Sequence, residues 1–566
     1  MQENNIDVAT QLEEAADLLS LTEANPFRVR AYRNAARTIR SLDAPLTNLV
    51  SQPDFHLDDL PGIGKDLAGK IKEILEKGSF KVLGDLRQRV PHGIRDLMLL
   101  PGIGPKKAMR LNRTLKIASL HDLELAVKAG TIARVKGFGA KSEEALAHAL
   151  ELKGLSSGRM LVNEADSLSQ SVIQHLTLLK GLEVTVAGSL RRGAETVGDL
   201  DFVATGPSGD SIFHHLMKFD PEATILSQGA TKISLRLKSG RQIDVRVVSA
   251  KIFGAALLYF TGSKTHNIEL RRLAQSKGLK LNEYGLFRQS ERVAGATEAE
   301  IYLALGLDLI APELREGRGE ISIAAKHQLP ELVTNADIIG DFHLHTLASD
   351  GINTIQELAD KASQLGYTCI AITDHSERVT VAHGLSRARL AREWAEIDSL
   401  TDKYPQLRIL KGVEVDILDD GALDISTEML KAADWVVAAV HYNRNQDRAT
   451  MTRRIIKAFK SGVVHALAHP TGRLIGRRPE LAFDLSEITK AAVDHGVALE
   501  INGQPDRLDL NAQMIELAAR HPVDFVLATD AHSAAEMGYM KFALAQARRG
   551  GLSKKQIVNC RPIGRH

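Results

Sequence analysis

Nine histidines and carboxylates punctuate the last third of the chain: His343, His345, Asp350, His375, Glu414, His441, His469, Asp530 and His532. Most of them close short apolar runs of the kind that form strands. So many imidazoles and acids at strand ends are poor packing residues, and the set reads as a metal centre. Imidazole and carboxylate together favour Zn²⁺, Mn²⁺ or Fe²⁺ over Mg²⁺. Such a cluster would activate a water and neutralise a phosphate oxygen, which is the chemistry of phosphoester hydrolysis. Arg473 and Arg507 follow strand ends and are candidates for gripping a substrate phosphate. The competing reading is an inert domain stapled by metal. His383 and His465 fall outside the pattern and read more simply as ordinary polar residues.

A second constellation lies in the segment Gly188-Ser189-Leu190-Arg191-Arg192-Gly193, followed by Asp199-Leu200-Asp201. Asp199 and Asp201, two apart on a strand, point to one face, where paired carboxylates repel unless a divalent cation lies between them. A third acid, Asp244, sits in the strand-like run Arg241 to Arg246. Three carboxylates converging across neighbouring strands can hold two Mg²⁺ ions, the arrangement for phosphoryl transfer. Gly188 and Ser189 would supply close backbone and hydroxyl contacts to a triphosphate, and Arg192 a charge-assisted grip. Taken alone, Asp-x-Asp would mark only a solvated strand end.

Three Gly-x-Gly turns precede helices in the first third: Gly62 and Gly64, Gly102 and Gly104, Gly137 and Gly139. The first two sit in identical Leu-Pro-Gly-Ile-Gly segments. Such a turn presents free backbone amides, with a helix N-terminus behind them, to a phosphate, and so holds a nucleic-acid backbone without reading bases. The third lacks the proline and reads equally as a plain helix connector.

These groups need elements to position them. A chain of 566 residues exceeds a single core and implies several domains. With 44% hydrophobic and 25% charged residues and no long uncharged apolar run, it reads as soluble and globular, which excludes a membrane span. The N-terminus lacks signal-peptide character, which predicts a cytoplasmic protein. Two cysteines, Cys369 and Cys560, agree with a reducing compartment and no structural disulfide. A net charge of +2 neither demands nor excludes nucleic acid. Residues 1 to about 150 read as helices broken by glycine turns. After the polar break Ser156-Ser157-Gly158, strands are expected at Val184 to Val186, Leu200 to Ala204, Ile233 to Leu237 and Ile243 to Val248. Residues 251 to about 315 read as mostly helical, and Pro312 to Gly319 as a linker. Seven strand-like runs separated by helices then predict a distorted β/α barrel with its chemistry at one rim. The expected fold class is thus multidomain α+β and α/β.

Residues 1 to about 315 resemble the family X DNA polymerases within the nucleotidyltransferases. Tyr259, Phe260, Gly262 and Asn267, with Arg271 a helical turn later, look like that family's nucleotide-binding helix and template-side contact, and Asn282-Glu283-Tyr284-Gly285 completes the resemblance. Gln242 stands where the better-known eukaryotic pattern has an arginine, and Lys264 where it has an acid. The N-terminal run Asn25 to Arg33 resembles the family's 5′-phosphate-binding domain, with Arg28 and Tyr32 at phosphate-pocket positions. Lys70 matches the lysine that forms a Schiff base with an abasic sugar, and it reads equally as a lysine beside DNA phosphate.

The last third resembles the polymerase and histidinol phosphatase (PHP) domain, with all nine ligand positions filled. The resemblance implies a lyase-like domain with the first helix-hairpin-helix at 1–85, a helix-hairpin-helix region at 86–155, a nucleotidyltransferase palm at 156–250, a helical thumb at 251–315, a linker at 316–335 and a PHP domain at 336–566. It further implies Mg²⁺ or Mn²⁺ at the polymerase site, up to three Zn²⁺, Mn²⁺ or Fe²⁺ ions at the PHP site, and deoxynucleoside triphosphates with gapped, nicked or abasic DNA as substrates of a monomer. The expected function is short-gap filling in base excision or end-joining repair, with 3′-5′ exonuclease or abasic-site endonuclease activity and a 5′-deoxyribose-phosphate lyase step. The alternatives are a polymerase fused to a small-molecule phosphatase, or a DNA-binding scaffold with weak catalysis.

Overall fold

The computed structural model of the chain describes residues 3–562 except 22–24, 41–45, 51–54, 61, 90–96, 98–102, 104, 118–119, 140–141, 144–145 and 148–158. The chain divides into two compact units, Met1–Leu155 and Ser156–His566.

The first unit is helical. Helix Lys65–Lys77 shows why: Leu67, Ala68, Ile71 and Ile74 recur on one face and are buried, while charged residues fill the other. It starts after Gly64 and stops at Gly78, whose left-handed backbone (φ 75°) lets its N–H donate to the Ile74 carbonyl at 2.8 Å. Among the described residues, one apolar cluster runs from Val8 to Leu146, so regions 1–85 and 86–155 share a core.

The second unit begins with a short pair, β1 (Met160–Leu161) against β3 (Thr196–Val197), beside a five-stranded sheet. Its strands are β2 (Glu183–Val186), β4 (Asp199–Thr205), β5 (Thr224–Gly229), β6 (Lys232–Arg236) and β7 (Gln242–Val247), in the order β2-β4-β7-β6-β5. Four of these match sequence expectation. β5 was not expected, because every residue of this edge strand is exposed and so carries no apolar alternation. The parallel pair β4 and β7 sets Asp201 opposite Asp244.

Helices Phe253–Thr261 and Lys264–Ser276 follow, but the region is not purely helical. Strands β8 (Lys280–Asn282), β9 (Gly285–Arg288) and β10 (Glu291–Ala294) form an antiparallel meander. Asn282 pairs with Gly285, and the Asn282 side chain accepts from the Tyr284 N–H at 3.0 Å. Asn282 to Gly285 is therefore a hairpin turn, and asparagine is suited to it because its side chain imitates a backbone turn.

The stretch read as a linker, Pro312 to Gly319, is instead packed, and in 316–335 the buried residues Glu320, Ala324 and Val333 alternate with exposed ones. Arg315 is fully buried: its guanidinium donates to Glu298 at 2.5 Å and to the Ile310 carbonyl at 2.8 and 2.9 Å, and it lies over the Tyr302 ring. Burial alone would raise the Glu298 carboxyl, but Arg191 and Arg315 hold it at about 2. Glu320 pairs with buried His266 at 2.7 Å, Ala324 completes the thumb core and Val333 joins the barrel core. The charges of Arg315 and Glu320 are thus matched inside the protein.

The barrel strands are β11 (Gly340–Leu344), β12 (Cys369–Ile372), β13 (Arg408–Asp416), β14 (Trp435–Ala439), β15 (Ala466–Leu467), β16 (Ala498–Asn502) and β17 (Phe525–Ala528), all parallel and in chain order. Just past the ends of β17 and β11, the His345 N–H donates to the Ala531 carbonyl at 2.9 Å and draws the ring closed. Alternation sorts the side chains. Val436 and Ala438 face the outer core, while Val437 and Ala439 face an inner one filled mostly by small residues such as Ala371, Ala466 and Ala498. Among the described residues no helix is long and apolar enough to cross a membrane.

Truncating Arg315 to alanine leaves Glu298 and the Ile310 carbonyl short of a buried partner, and breaking such a pair costs about 3 to 5 kcal/mol. Guanidinium denaturation of Arg315→Ala is expected to show a midpoint well below that of the unaltered chain. An unchanged midpoint would mean that this cluster does not hold the thumb together.

Candidate active sites

At the β4–β7 pair, Asp199, Asp201 and Asp244 each offer an oxygen within 4.8 Å of the others. Gln242 Nε2 donates to Asp244 at 3.0 Å, the Ser234 hydroxyl donates to its other oxygen, and Lys232 Nζ lies 3.5 Å away. Burial, then the carboxylates of Asp199 and Asp244, push Asp201 up to about 7 against the pull of Arg192 and Lys232. Three carboxylates gathered this closely are the donor set of a divalent-cation site. Ser234 and Lys232 were missed in the sequence, because nothing local marks a residue on β6 as facing β7. Gln242 was noted there only as a departure from an expected arginine.

Gly188 approaches this cluster so closely that a Cβ there would lie 2.2 Å from Asp201 Oδ2, and its φ of +62° is left-handed. Only glycine allows the turn Gly188–Arg191, with Ser189 in it, to come so near. Arg192 donates through Nε to Glu316 at 3.2 Å and through Nη1 to the Thr261 carbonyl, and a Cβ on Gly262 would lie 3.3 Å from that Nη1. The ring of Tyr259, 36% exposed, meets Phe260 edge-on, and Arg246 lies 4.8 Å over the Phe260 ring. Asn267 donates to the Tyr259 carbonyl at 2.7 Å, and Arg271 Nε donates to the Asn267 carbonyl at 3.1 Å. The expected nucleotide-contact residues therefore form one connected surface beside the carboxylates.

In the first unit, Lys70 is ion-paired with Asp66, only 11% exposed, and stands 5.9 Å over the Tyr32 ring. Tyr32 itself is buried, with its hydroxyl lacking a hydrogen-bond partner, while Arg28 one turn earlier is exposed. Gly62 is left-handed (φ 78°) and Gly64 caps a helix. Gly137 (φ 89°) packs against Arg110, which donates to the Lys136 carbonyl at 2.7 Å, and the Gly139 carbonyl accepts from Ser142 and Glu143. Gly102 and Gly104 lie outside the described residues.

At the barrel rim the nine expected residues converge. Three overlapping groups each bring ligand atoms within 4.8 Å: His345, Asp350, His375 and His532; His343, His345 and Asp530; His375, Glu414 and His441. His469 joins them through Nε2, 3.0 Å from Glu414. Buried atoms His343 Nε2, His345 Nδ1, His375 Nδ1, Glu414 Oε2 and His441 Nδ1 have no hydrogen-bond partner. Buried polar atoms are normally satisfied, so this convergence fits metal ions bridging the ligands. Burial and the neighbouring His532 and His375 hold His345 down at about 4, the neutral form that ligates. Burial opposes ionisation of Glu414, but the facing histidines keep it well below the ordinary carboxylate range.

A second layer of acids orients the ligands. Glu500 takes His343 Nδ1 at 2.6 Å and also accepts from the His469 N–H, and Asn502 bridges Glu500 and Asp530. Asp416 accepts the His441 backbone N–H at 3.0 Å, and Asp509 accepts the N–H groups of Thr471 and Gly472 after His469. Such partners fix tautomer and ring orientation. The sequence signal for them was an acid inside an apolar strand, as in Ala498–Asn502. Arg507 lies 3.6 Å from Asp530 with Nη1 buried and free of hydrogen bonds, in place to meet an anion. Arg473 is not so placed: it is bound to Glu195 of the palm at 2.7 Å and to the Arg507 carbonyl at 2.8 Å. His465 accepts from the Val436 N–H and stacks on Trp435, a packing role, and exposed His383 belongs to none of the ligand groups.

This pairing of sites defines a nucleotidyltransferase joined to a metal-dependent phosphoesterase, and comparison with known proteins agrees. Family models match as DNA polymerase beta palm over residues 159–250, DNA polymerase beta thumb over 256–316, PHP domain over 341–504, helix-hairpin-helix domain over 3–80 and SAM-like helix-hairpin-helix tandem over 94–152. A Bacillus subtilis relative named DNA polymerase/3′-5′ exonuclease PolX is 35% identical over 98% of this chain and 97% of its own. DNA polymerase lambda of Rattus norvegicus is 27% identical over 55% of this chain and 56% of its own. A Tolumonas auensis protein named probable phosphatase is 32% identical over 36% of this chain and 82% of its own. The chain belongs to the family X DNA polymerases that carry a PHP domain.

The folded-state value of Asp201, about 7, lies above the roughly 3.9 of an unfolded aspartate, so metal-free stability from this group is complete below about pH 4 and lost as pH rises through 7. Asp201→Asn is therefore expected to stabilise the metal-free protein by roughly 2 to 4 kcal/mol at pH 8 and by little at pH 4. Melting curves at both pH values check this, and equal effects at the two would contradict the assignment.

Proposed function

We propose that the protein fills short gaps in damaged DNA and trims or opens DNA ends with its barrel. The observation that carries this reading is the presence of two donor sets of different chemistry: three carboxylates beside a glycine turn, and three overlapping histidine-rich groups at the barrel rim. In the palm, Gly188, Ser189 and Arg192 would hold the triphosphate. Tyr259, Phe260, Gly262 and Asn267 would set the sugar and base, with Arg271 on the template side. Asp199, Asp201 and Asp244 are the ligands for Mg²⁺ or Mn²⁺. In the barrel the nine ligands suit up to three Zn²⁺, Mn²⁺ or Fe²⁺ ions. When bound, the metals lower the pKa of the attacking hydroxyl or water and neutralise developing phosphate charge. Arg507 would orient the phosphate to be hydrolysed.

Partners on this reading are gapped, nicked or abasic DNA, met in the cytoplasm by a monomer and held through the backbone amides at Gly62, Gly64, Gly102, Gly104, Gly137 and Gly139. Arg28 would take a 5′-phosphate. The cover over Lys70, with Tyr32 beneath and Asp66 beside it, supports a lysine held for Schiff-base chemistry with an abasic sugar rather than one free in solvent. The Bacillus relative's name supports a DNA end, rather than a small phosphate ester, as the barrel's substrate.

The two chemistries are expected to separate by substitution. Asp201→Ala should reduce nucleotide addition on one-nucleotide-gapped DNA by at least about a hundred- to a thousandfold while sparing 3′ trimming, and His343→Ala with His345→Ala should do the reverse. Trimming that survives the double histidine change in rigorously purified protein would show that the barrel is not its source.

For the abasic sugar, borohydride trapping of a 5′-deoxyribose-phosphate end should give a covalent adduct that Lys70→Ala suppresses. An undiminished adduct would move that chemistry to another lysine.

A further inference from the structure

The turn that carries Arg192 rests on the barrel domain. Gly193 (φ 67°) is so close to helix Met540–Arg549 that a Cβ there would lie 3.1 Å from the Ala545 Cβ. Gln546 Nε2 donates to the Gly193 carbonyl at 3.0 Å, and Arg549 Nη1 donates to the Arg192 carbonyl at 2.6 Å. The same Nη1 lies 2.9 Å from Glu316 Oε1, the oxygen that also takes Arg192 Nε at 3.2 Å. Glu316 is thus shared between two guanidiniums, one from the palm and one from the barrel. Arg318 fixes the end of the helix, donating to the Arg549 carbonyl and pairing with Glu516, both at 2.7 Å.

We infer that Arg549, a residue of the hydrolytic domain, is a positioning residue for polymerisation: it takes over Glu316 so that Arg192 is free to hold the incoming triphosphate. The inference rests on the reading of Arg192 as the triphosphate grip. While its Nε is held by Glu316 at 3.2 Å, Arg192 shares its charge with that carboxylate and grips a triphosphate less strongly. Releasing it would strand a largely buried carboxylate, and an unpaired buried charge is strongly unfavourable. Glu316 and Arg549 are 21% and 13% exposed, so water compensates little. With Arg549 in place, Glu316 keeps a partner when Arg192 leaves. The bond from Arg549 to the Arg192 carbonyl also holds the turn while its side chain moves. Neither contact touches the metal ligands at the barrel rim, so the barrel has a second role independent of hydrolysis.

The test is single-nucleotide insertion by the full-length protein on one-nucleotide-gapped DNA, reading KM for the nucleotide apart from kcat. Arg549→Ala is expected to raise KM by about five- to tenfold with kcat within about twofold, because binding and not the chemical step is affected. The same preparation should keep its 3′ trimming and melting temperature. Arg549→Lys, which keeps the charge, should recover most of the loss. Glu316→Gln removes the competitor and should lower KM, and combined with Arg549→Ala it should return KM close to the unaltered value. Arg192→Ala separates the two readings. If it leaves KM unmoved, the role of Arg192 is wrong. If it raises KM while Arg549→Ala does not, or if Glu316→Gln fails to rescue Arg549→Ala, the sharing of Glu316 is overturned. Should Arg549→Ala unfold, Glu316→Gln alone decides, since an unchanged KM there removes the competition.

Discussion

Carboxylates and imidazoles gathered within 4.8 Å of one another repel or leave donors unsatisfied, and both sites of this chain are arranged around that cost. In the palm the cost shows as the rise of Asp201 to about 7, with Ser234, Gln242 and Lys232 steadying the neighbouring Asp244. In the barrel it shows as five buried ligand atoms without hydrogen bonds, and as left-handed backbone at the non-glycine ligands His469 (φ 26°) and Asp530 (φ 51°). Backbone in that region persists only where the surroundings over-determine it. Here they do: Glu500 binds the His469 N–H and Asn502 binds Asp530, both from the end of β16. A protein that maximised its own stability would not assemble these groups. Their cost is offset when cations are supplied, which is the physical link between folding and function here.

The same kind of charge is used differently between the domains of the second unit. Arg191 of the palm and Arg315 share Glu298 of the thumb, Arg473 joins the barrel to Glu195, and Arg548 joins it to Glu313. Each is a matched pair with directed hydrogen bonds rather than a strained cluster, and the Arg191–Glu298 contact is bidentate. These pairs fix the orientation of palm, thumb and barrel within the unit, so the gathered ligands are held by a rigid surround.

How much of this the sequence carried depended on whether a feature was local. The barrel strands were legible because each combines an apolar run with a chemically marked end, as in Val436 to His441. The carboxylate triad was legible because Asp199 and Asp201 share a strand face. Strand β5 was hidden by its full exposure, and the meander from β8 to β10 by its short strands. The linker reading of Pro312 to Gly319 failed because burial of Arg315 depends on Glu298, a partner seventeen positions away that no pattern of spacing reveals. Arg473 failed for the same reason, since Glu195 is 278 positions away. Long-range pairing of charges is what composition cannot show: an arginine after a strand end looks alike whether it awaits a phosphate or has a glutamate.

That distinction bears on how the two activities can be pulled apart. Their chemistry is separate, because no ligand is common to the palm and barrel sets. Their mechanics are not, because Glu195, Glu313, Glu316 and Glu516 all take arginines across or beside the junction of the barrel with palm and thumb. Removing the barrel would strip Glu195 and Glu313 of Arg473 and Arg548 and leave Glu316 to Arg192 alone, placing uncompensated negative charge beside the turn that must accept a triphosphate. Polymerisation lost on truncation would therefore say nothing about whether hydrolysis assists synthesis. Substitution of the ligands at the rim, which leaves helix Met540–Arg549 and its arginines in place, isolates the chemistry from the support.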